Sequence, residues 1–324
     1  MDSFGICQLI NLKSKQMVIS VITPVYNGQD FIEETVNSIL DLAPQTGFEY
    51  IVVNDGSSDQ TLDILEGFGS RIKLINQVNS GESSAVNTGI YAASGKYIVV
   101  ISADDPIHTS KLFEGVQEFF EANPGVSAWY PNWRMIDQNG ELIRVVEPKE
   151  YSIENLVGRA ICLPGPGTFF RKSMAIEIGG RKEKWRYVSD YDFWLRISEL
   201  GPLRKRNEVL AQWRHHGQST SISSAGRDMF RERVDVIEHF VLNRNYGKRI
   251  KRMALANTRC LAASIKFDSD VSIPARREVL RAVLIRKKWP EELRIETLFA
   301  IFLSPNFHPR QRMRRAIKLF SGKD

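Results

Sequence analysis

At 324 residues, with 43% hydrophobic and 25% charged positions, the chain has enough apolar material for one large α/β unit and an appendage, which excludes a disordered or disulfide-stapled protein. Its three cysteines, Cys7, Cys162 and Cys260, are odd in number and far apart, so they form neither a disulfide framework nor a metal-ligand spacing, and a reducing, cytoplasmic setting is expected. The formal charge of +6 is segregated: residues 226–324 hold 23 Lys and Arg against 11 Asp and Glu, about +12, and the preceding residues hold 21 against 27, about −6.

No run approaches the roughly 20 apolar residues that span a bilayer. Residues 1–16 read as a loose extension, since the apolar run Phe4–Ile10 follows Asp2 and lacks the basic start of a signal peptide. Val18–Thr23 then reads as a buried strand, ended by Pro24 and the Asn27-Gly28 turn. Phe31–Leu40 is expected to be helical, with Phe31, Thr35, Val36, Ile39 and Leu40 on one stripe. Tyr50–Val53 is a second strand, and Asp59 is placed to cap a following helix. Ile72–Ile75, Ser83–Ala93 and Tyr97–Ile101 continue as strand, helix, strand. Such alternation implies parallel pairing, with ligands bound beyond the carboxyl ends of the strands. A helix near Lys111–Glu121 precedes the apolar segment Ser127–Trp133 and a hairpin turn at Asn139-Gly140. Gly165 and Gly167 precede a short strand at Phe169–Arg171, Ser189–Leu200 is a helix, and Glu208–Trp213 is a strand. From about residue 226 onward the pattern is mainly helical and basic, with breaks near Pro274, Pro290 and Pro305.

Four polar clusters punctuate these elements. They are Thr23-Pro24-Val25-Tyr26-Asn27; Asn54-Asp55-Gly56-Ser57-Ser58-Asp59; the run from Asn79-Ser80-Gly81 through Asn87 to Ser102-Ala103-Asp104-Asp105; and Ser189-Asp190-Tyr191-Asp192, followed by Arg214-His215-His216. Read as chemistry, Tyr26 offers a flat face to a base, and Asp55 can accept from a pyrimidine N–H or from ribose hydroxyls. Asp55 can equally complete an ordinary turn with Gly56. A carboxylate such as Asp104 tolerates a diphosphate only through a divalent cation.

In this order the clusters resemble the family 2 inverting glycosyltransferases, over about residues 17–221. The resemblance implies a GT-A fold: a Rossmann-like, mostly parallel sheet flanked by helices over residues 17–225, here followed by a helical, basic C-terminal region over 226–324. It implies donor-binding roles for Thr23, Pro24, Tyr26, Asn27, Asp55, Asn87, Asp104 and Arg214, a Mg²⁺ or Mn²⁺ site at Asp104 and His216, and Asp190 as the catalytic base. Two positions depart from the family pattern. Ser102 stands at the first acid of the usual Asp-x-Asp, and Ser189 replaces a Glu beside the base.

The implied reaction moves a sugar from a UDP-, dTDP- or GDP-linked donor to a glycan or lipid-linked acceptor, in cell-surface polysaccharide synthesis. A non-catalytic nucleotide- or glycan-binding subunit is the alternative that Ser102 and Ser189 suggest. A nucleotidyltransferase is disfavoured because the loop after the first strand carries no basic residue. A dinucleotide oxidoreductase is disfavoured because no Gly-x-Gly-x-x-Gly follows that strand. The basic C-terminal helices suit an anionic membrane surface, peripheral to the inner face, and the charge comes without any nucleic-acid module.

Overall fold

The computed structural model describes residues 18–44, 47–216 and 226–268. Residues up to Tyr151 together with those from Cys162 to the end of the second described stretch form one compact unit. The second unit comprises Ser152–Ile161 and the described residues from Gly226 onward. The breaks expected near Pro274, Pro290 and Pro305 lie outside the described residues, as does the extension over residues 1–16.

The first unit opens with β1 (Ile19–Val25), α1 (Ile32–Leu42), β2 (Phe48–Asn54), α2 (Thr61–Glu66), β3 (Lys73–Asn76), α3 (Glu82–Ala92) and β4 (Tyr97–Val100). It continues through α4 (Val116–Ala122), β5 (Ala128–Ile136), β6 (Leu142–Val146), β7 (Phe169–Arg171), α5 (Lys172–Glu177), α6 (Ser189–Ile197) and β8 (Leu203–Arg214). The strands make one sheet in the order β3-β2-β1-β4-β7-β5-β6, with β8 alongside β5. The first four are parallel; β7 then pairs antiparallel with both β4 and β5, and β8 runs parallel to β5.

Strand β1 runs through Pro24 to Val25 instead of stopping at the proline. Asp55 N donates to Val25 O, and Ile101 N donates to Ile22 O, so even positions of β1 address β4. Pairing with β4 ends at Ile22, so the missing N–H of Pro24 falls beyond the last ladder bond and costs nothing. In α1 the buried stripe is Ile32, Thr35, Val36 and Ile39. Phe31, expected on that stripe, is the N-cap residue, and its ring lies 4.8 Å from that of His216. Tyr97 stacks on Phe120 at 4.6 Å, and Val21, Val52 and Val99 fill the same core. These apolar residues are what fix the strand ends that carry the polar clusters.

In the second unit, α7 (Gly226–Leu242) buries Val236, Ile237, Phe240 and Val241, and α8 (Lys248–Asp268) buries Met253, Ala254 and Ala256. Asn257 Nδ2 donates to Gly158 O at 2.6 Å, and Arg233 donates to Ala160 O, so α8 holds the end of the short π-turn at Glu154–Gly158 and α7 holds the residues just after it. Segment 152–161, read from sequence as part of the front half, thus belongs with the C-terminal helices.

Candidate active site

The loops beyond β1 and β2 are laced together. Asn27 adopts a left-handed conformation (φ +51°), which its short polar side chain tolerates. Its N–H donates to Ser57 Oγ at 2.9 Å, and its Oδ1 accepts from Ser58 N at 2.8 Å. Gly28 N donates to Thr61 Oγ1 at 2.9 Å and Gln29 N to Asp59 Oδ2 at 3.2 Å. Asp59 Oδ1 also accepts from Thr61 N at 3.0 Å; the N-cap of α2 is Gln60, one position after the expected Asp59, which instead serves as a loop tie. Burial opposes ionisation of Asp59, but the bonds from Thr61 and Gln29 more than offset it and hold its carboxyl below the usual range. Between these ties Tyr26 is left 52% exposed, its ring open as a face.

Thr23 is fully buried, its Oγ1 accepting from the Tyr50 hydroxyl at 3.0 Å, and burial pushes the Tyr50 hydroxyl well up. Thr23 and Pro24 support the Tyr26 loop from within the sheet. Asp55 is buried, and its carboxylate accepts from Gln77 Nε2 (2.7 Å), Ser80 N (2.9 Å) and Gly81 N (2.8 Å). The turn bond at Asn54-Asp55-Gly56 comes from Asn54, whose Oδ1 accepts from Ser57 N at 3.1 Å. Asp55 is therefore not needed for the turn, and its acid faces the loop between β3 and α3.

Beyond β4, Asp104 and Asp105 have opposite surroundings. Asp104 is partly exposed, and its Oδ2 lies 2.8 Å from His216 Nε2. Asp105 is buried; desolvation first, and the neighbouring Asp104 charge second, raise its carboxyl well above the usual range. Bonds from Arg214 N, at 2.7 Å, and from the Ser102 hydroxyl act in the other direction. The Ser102 hydroxyl is thus turned to Asp105.

The Arg214 guanidinium is buried and committed. Nε donates to Asp104 O (2.9 Å), one terminal nitrogen to Gln138 O (2.9 Å) and the other to Glu34 Oε2 (2.7 Å). Expected either at the donor phosphates or paired with a core carboxylate, it joins α1, the β4 loop and the β5–β6 turn, and the carboxylate it meets, Glu34, is more than half exposed. Asn87 is similarly committed: its Nδ2 donates to Arg181 O at 2.8 Å and its Oδ1 accepts from Arg181 N at 2.7 Å. It ties α3 to the segment leading into α6.

Asp190 lies in the first turn of α6, half-buried, on an element separate from the Asp55 and Asp104 loops. Its Oδ1 accepts from Tyr191 N at 2.7 Å. Asp192 and Arg196, both buried, form an i,i+4 pair at 2.6 Å, and Arg196 also reaches Ile178 O and Gly180 O. That network fixes the start of α6. Trp194 is buried against Phe170 and Phe193, so its ring is core material.

Among the described residues no group of three or more His, Cys, Asp or Glu converges as a complete metal cage. The Asp104–His216 pair still fits Mg²⁺ or Mn²⁺ on donor chemistry. One carboxylate and one imidazole supply two ligands, and such cations ordinarily complete their shell with water and substrate phosphates. Gln77 and Glu34 were not marked by any cluster in the sequence, and Thr88 lay within one without a role of its own; each matters only through a partner brought from another element.

The glycosyl transferase family 2 model matches residues 20–178. Among curated relatives, chondroitin synthase of Escherichia coli is 30% identical over 247 residues, covering 74% of this chain and 35% of that one. The chain spans 66% and 35% of the length of the first two curated relatives it matches. Among solved structures, S. aureus TarS 1-349 in complex with UDP-GlcNAc aligns with a TM-score of 0.65 at 19% identity, over 88% of this chain and 87% of that one. Mannosyltransferase PcManGT from Pyrobaculum calidifontis, in complex with GDP-Man and Mn²⁺, aligns with a TM-score of 0.56 at 15% identity, over 93% and 79%. At these identities the structural likeness establishes the GT-A fold.

Proposed function

We propose, from the premise that this chain belongs to glycosyl transferase family 2, that it moves a sugar from a nucleoside-diphosphate sugar to a hydroxyl of a glycan or lipid-linked acceptor, with inversion, in polysaccharide synthesis. The observation that carries the reading is the Asp104–His216 pair at 2.8 Å, partly exposed at the carboxyl end of β4, where a sheet of this topology binds ligands. Tyr26 and Asp55, at the ends of β1 and β2, supply the face and the acceptor for the base. The nucleotide-sugar complexes of TarS and PcManGT support a donor of this class.

Asp104 and His216 would hold the divalent cation. When bound, it offsets the charge of the diphosphate leaving group. The chain's own residues orient the rest. Arg214 keeps the Asp104 backbone in place, and the buried Asp105 carboxylate accepts from Arg214 N, which fixes the loop that presents Asp104. Asp190 accepts the proton of the acceptor hydroxyl as its oxygen bonds to the anomeric carbon and the bond to the diphosphate oxygen breaks. One displacement inverts the centre.

Release of nucleoside diphosphate from a panel of sugar donors tests this. Asp190→Asn is expected to lose about 10²–10⁴-fold in turnover while keeping nucleotide affinity. Asp104→Ala is expected to weaken both nucleotide and Mn²⁺ binding. Full turnover by Asp190→Asn would remove the base assignment, and full nucleotide binding with no transfer by the wild type would favour the non-catalytic alternative.

No described helix is long and apolar enough to cross a membrane. The basic turns at the start of α8 are proposed to rest on an anionic leaflet, as a lipid-linked acceptor requires.

A further inference from the structure

Behind Asp55 lies a latch built from two side chains. Gln77, the first residue after β3, donates Nε2 to Asp55 Oδ1 at 2.7 Å. Its Oε1 accepts from Thr88 Oγ1, also at 2.7 Å, which fixes the end of the carboxamide that faces the acid. Ser80 N donates to the same Oδ1 at 2.9 Å, and Gly81 N donates to Oδ2 at 2.8 Å. Gly56 lets the two loops come this close: at φ +72° it has no Cβ, and one built there would sit 2.7 Å from Asn79 N.

A carboxylate has about four acceptor positions over its two oxygens. Oδ1 has both taken, Oδ2 has one taken, and the residue is only 2% exposed. A single acceptor position therefore remains for a ligand. We propose that the Gln77–Thr88 latch makes the donor site select uracil or thymine over guanine, with Gln77 as the residue that sets the selectivity. The proposal rests on the reading of Asp55 as the base acceptor.

Uracil and thymine each present one imide N–H between two carbonyls, which calls for one acceptor. Guanine presents N1–H and the N2 amino group side by side, a pair that suits both oxygens of an open carboxylate. Here its second donor would meet an oxygen whose lone pairs are already filled by Gln77 and Ser80. Cytosine and adenine present a bare ring nitrogen at that edge, lone pair toward carboxylate. An unmatched polar group in a buried site lowers affinity by about ten- to a hundredfold.

Calorimetric titration of the full chain with UDP, TDP, GDP, CDP and ADP, at fixed Mn²⁺, tests the proposal. UDP and TDP are expected to bind at least about tenfold more tightly than the other three. Gln77→Met keeps the length of the side chain and frees one lone pair on Oδ1, so the UDP-to-GDP ratio should shrink by about tenfold. Thr88→Val, which releases the far end of the carboxamide, should shrink it less, and serves if Gln77→Met fails to fold. Equal affinity for GDP and UDP in the wild type, or a ratio unmoved in the variants, overturns the proposal. Binding of none of the five removes the donor-site reading itself, and the proposal with it.

Discussion

Replacing Arg214 with methionine keeps much of the side-chain length while deleting every donor, and the groups left behind decide the cost. Glu34 is more than half exposed and recovers its hydration. The carbonyls of Asp104 and Gln138 instead lose a charged donor in part-buried contacts, at about 1–3 kcal/mol each. Arg214→Met should therefore lose about 3 kcal/mol in urea unfolding, whereas Glu34→Gln should lose less than about 1 kcal/mol. Equal losses would mean that the Glu34 pair, not the carbonyls, is the working contact. His108 supplies a pH dependence. Burial first, and the Arg134 charge second, hold its imidazole below the ordinary value, and its Nδ1 is buried without a partner. The folded chain then binds fewer protons than the unfolded one just below about pH 6.5, so stability falls as pH drops through that window and is retained above it. Melting temperatures measured from pH 5 to 8 should show this slope, and His108→Gln should flatten it.

At the scale of elements, the amino ends of the strands form a knot at the opposite end of the sheet from the loops that carry Tyr26, Asp55 and Asp104. Ser20 Oγ donates to Glu49 Oε1 at 2.5 Å and accepts from Gly95 N at 2.9 Å, and Ser94 N reaches the same carboxylate. A Cβ at Gly95 would lie 2.7 Å from Ser20 N and 2.8 Å from Ile19 C, against backbone that cannot yield. Gly95→Ala should lower unfolding stability by about 1–3 kcal/mol and leave the UDP affinity of the folded fraction unchanged. A loss of affinity alone would show that the two ends of the sheet are coupled. Strands β1 to β4 and their helices were readable in the sequence because each is a local pattern of apolar residues between turn signals. The insertion of β7 between β4 and β5, and the pairing of β8 with β5, were not, because they join segments about 40 to 80 residues apart that carry no mutual mark. The same division runs through the site. Asp55, Asp104, Asp190 and His216 stand out as clusters along the chain. The commitment of Arg214 to Glu34, across 180 positions, and the Gln77–Thr88 latch exist only once the elements are assembled.

For the molecule as a whole, the arrangement of charge sets a question that its fold alone does not require. Lys248, Arg249, Lys251 and Arg252 crowd the first turns of α8, which carry no acidic residue. Positive charge at a helix amino end opposes the helix dipole, a local cost of some tenths of a kcal/mol per residue. Of these four, Arg249 is satisfied within its unit by Glu154 at 2.6 Å, while the Lys248 and Arg252 side chains remain exposed. A surface that accepts this cost gains where it meets anionic headgroups, at about 1 kcal/mol per basic residue and only within a Debye length. Three substitutions to glutamine, at Lys248, Lys251 and Arg252, should therefore weaken binding of the full chain to phosphatidylserine vesicles by about a hundredfold at low salt. Neutral vesicles should bind poorly with or without the substitutions, and raising salt to about 0.5 M should erase the difference. The variant's turnover on a soluble acceptor should match that of the wild type, because the substitutions lie outside the unit that holds Asp104 and Asp190. Sedimentation that is indifferent to charge, salt and substitution would mean that this face serves the packing of the helices and meets no membrane.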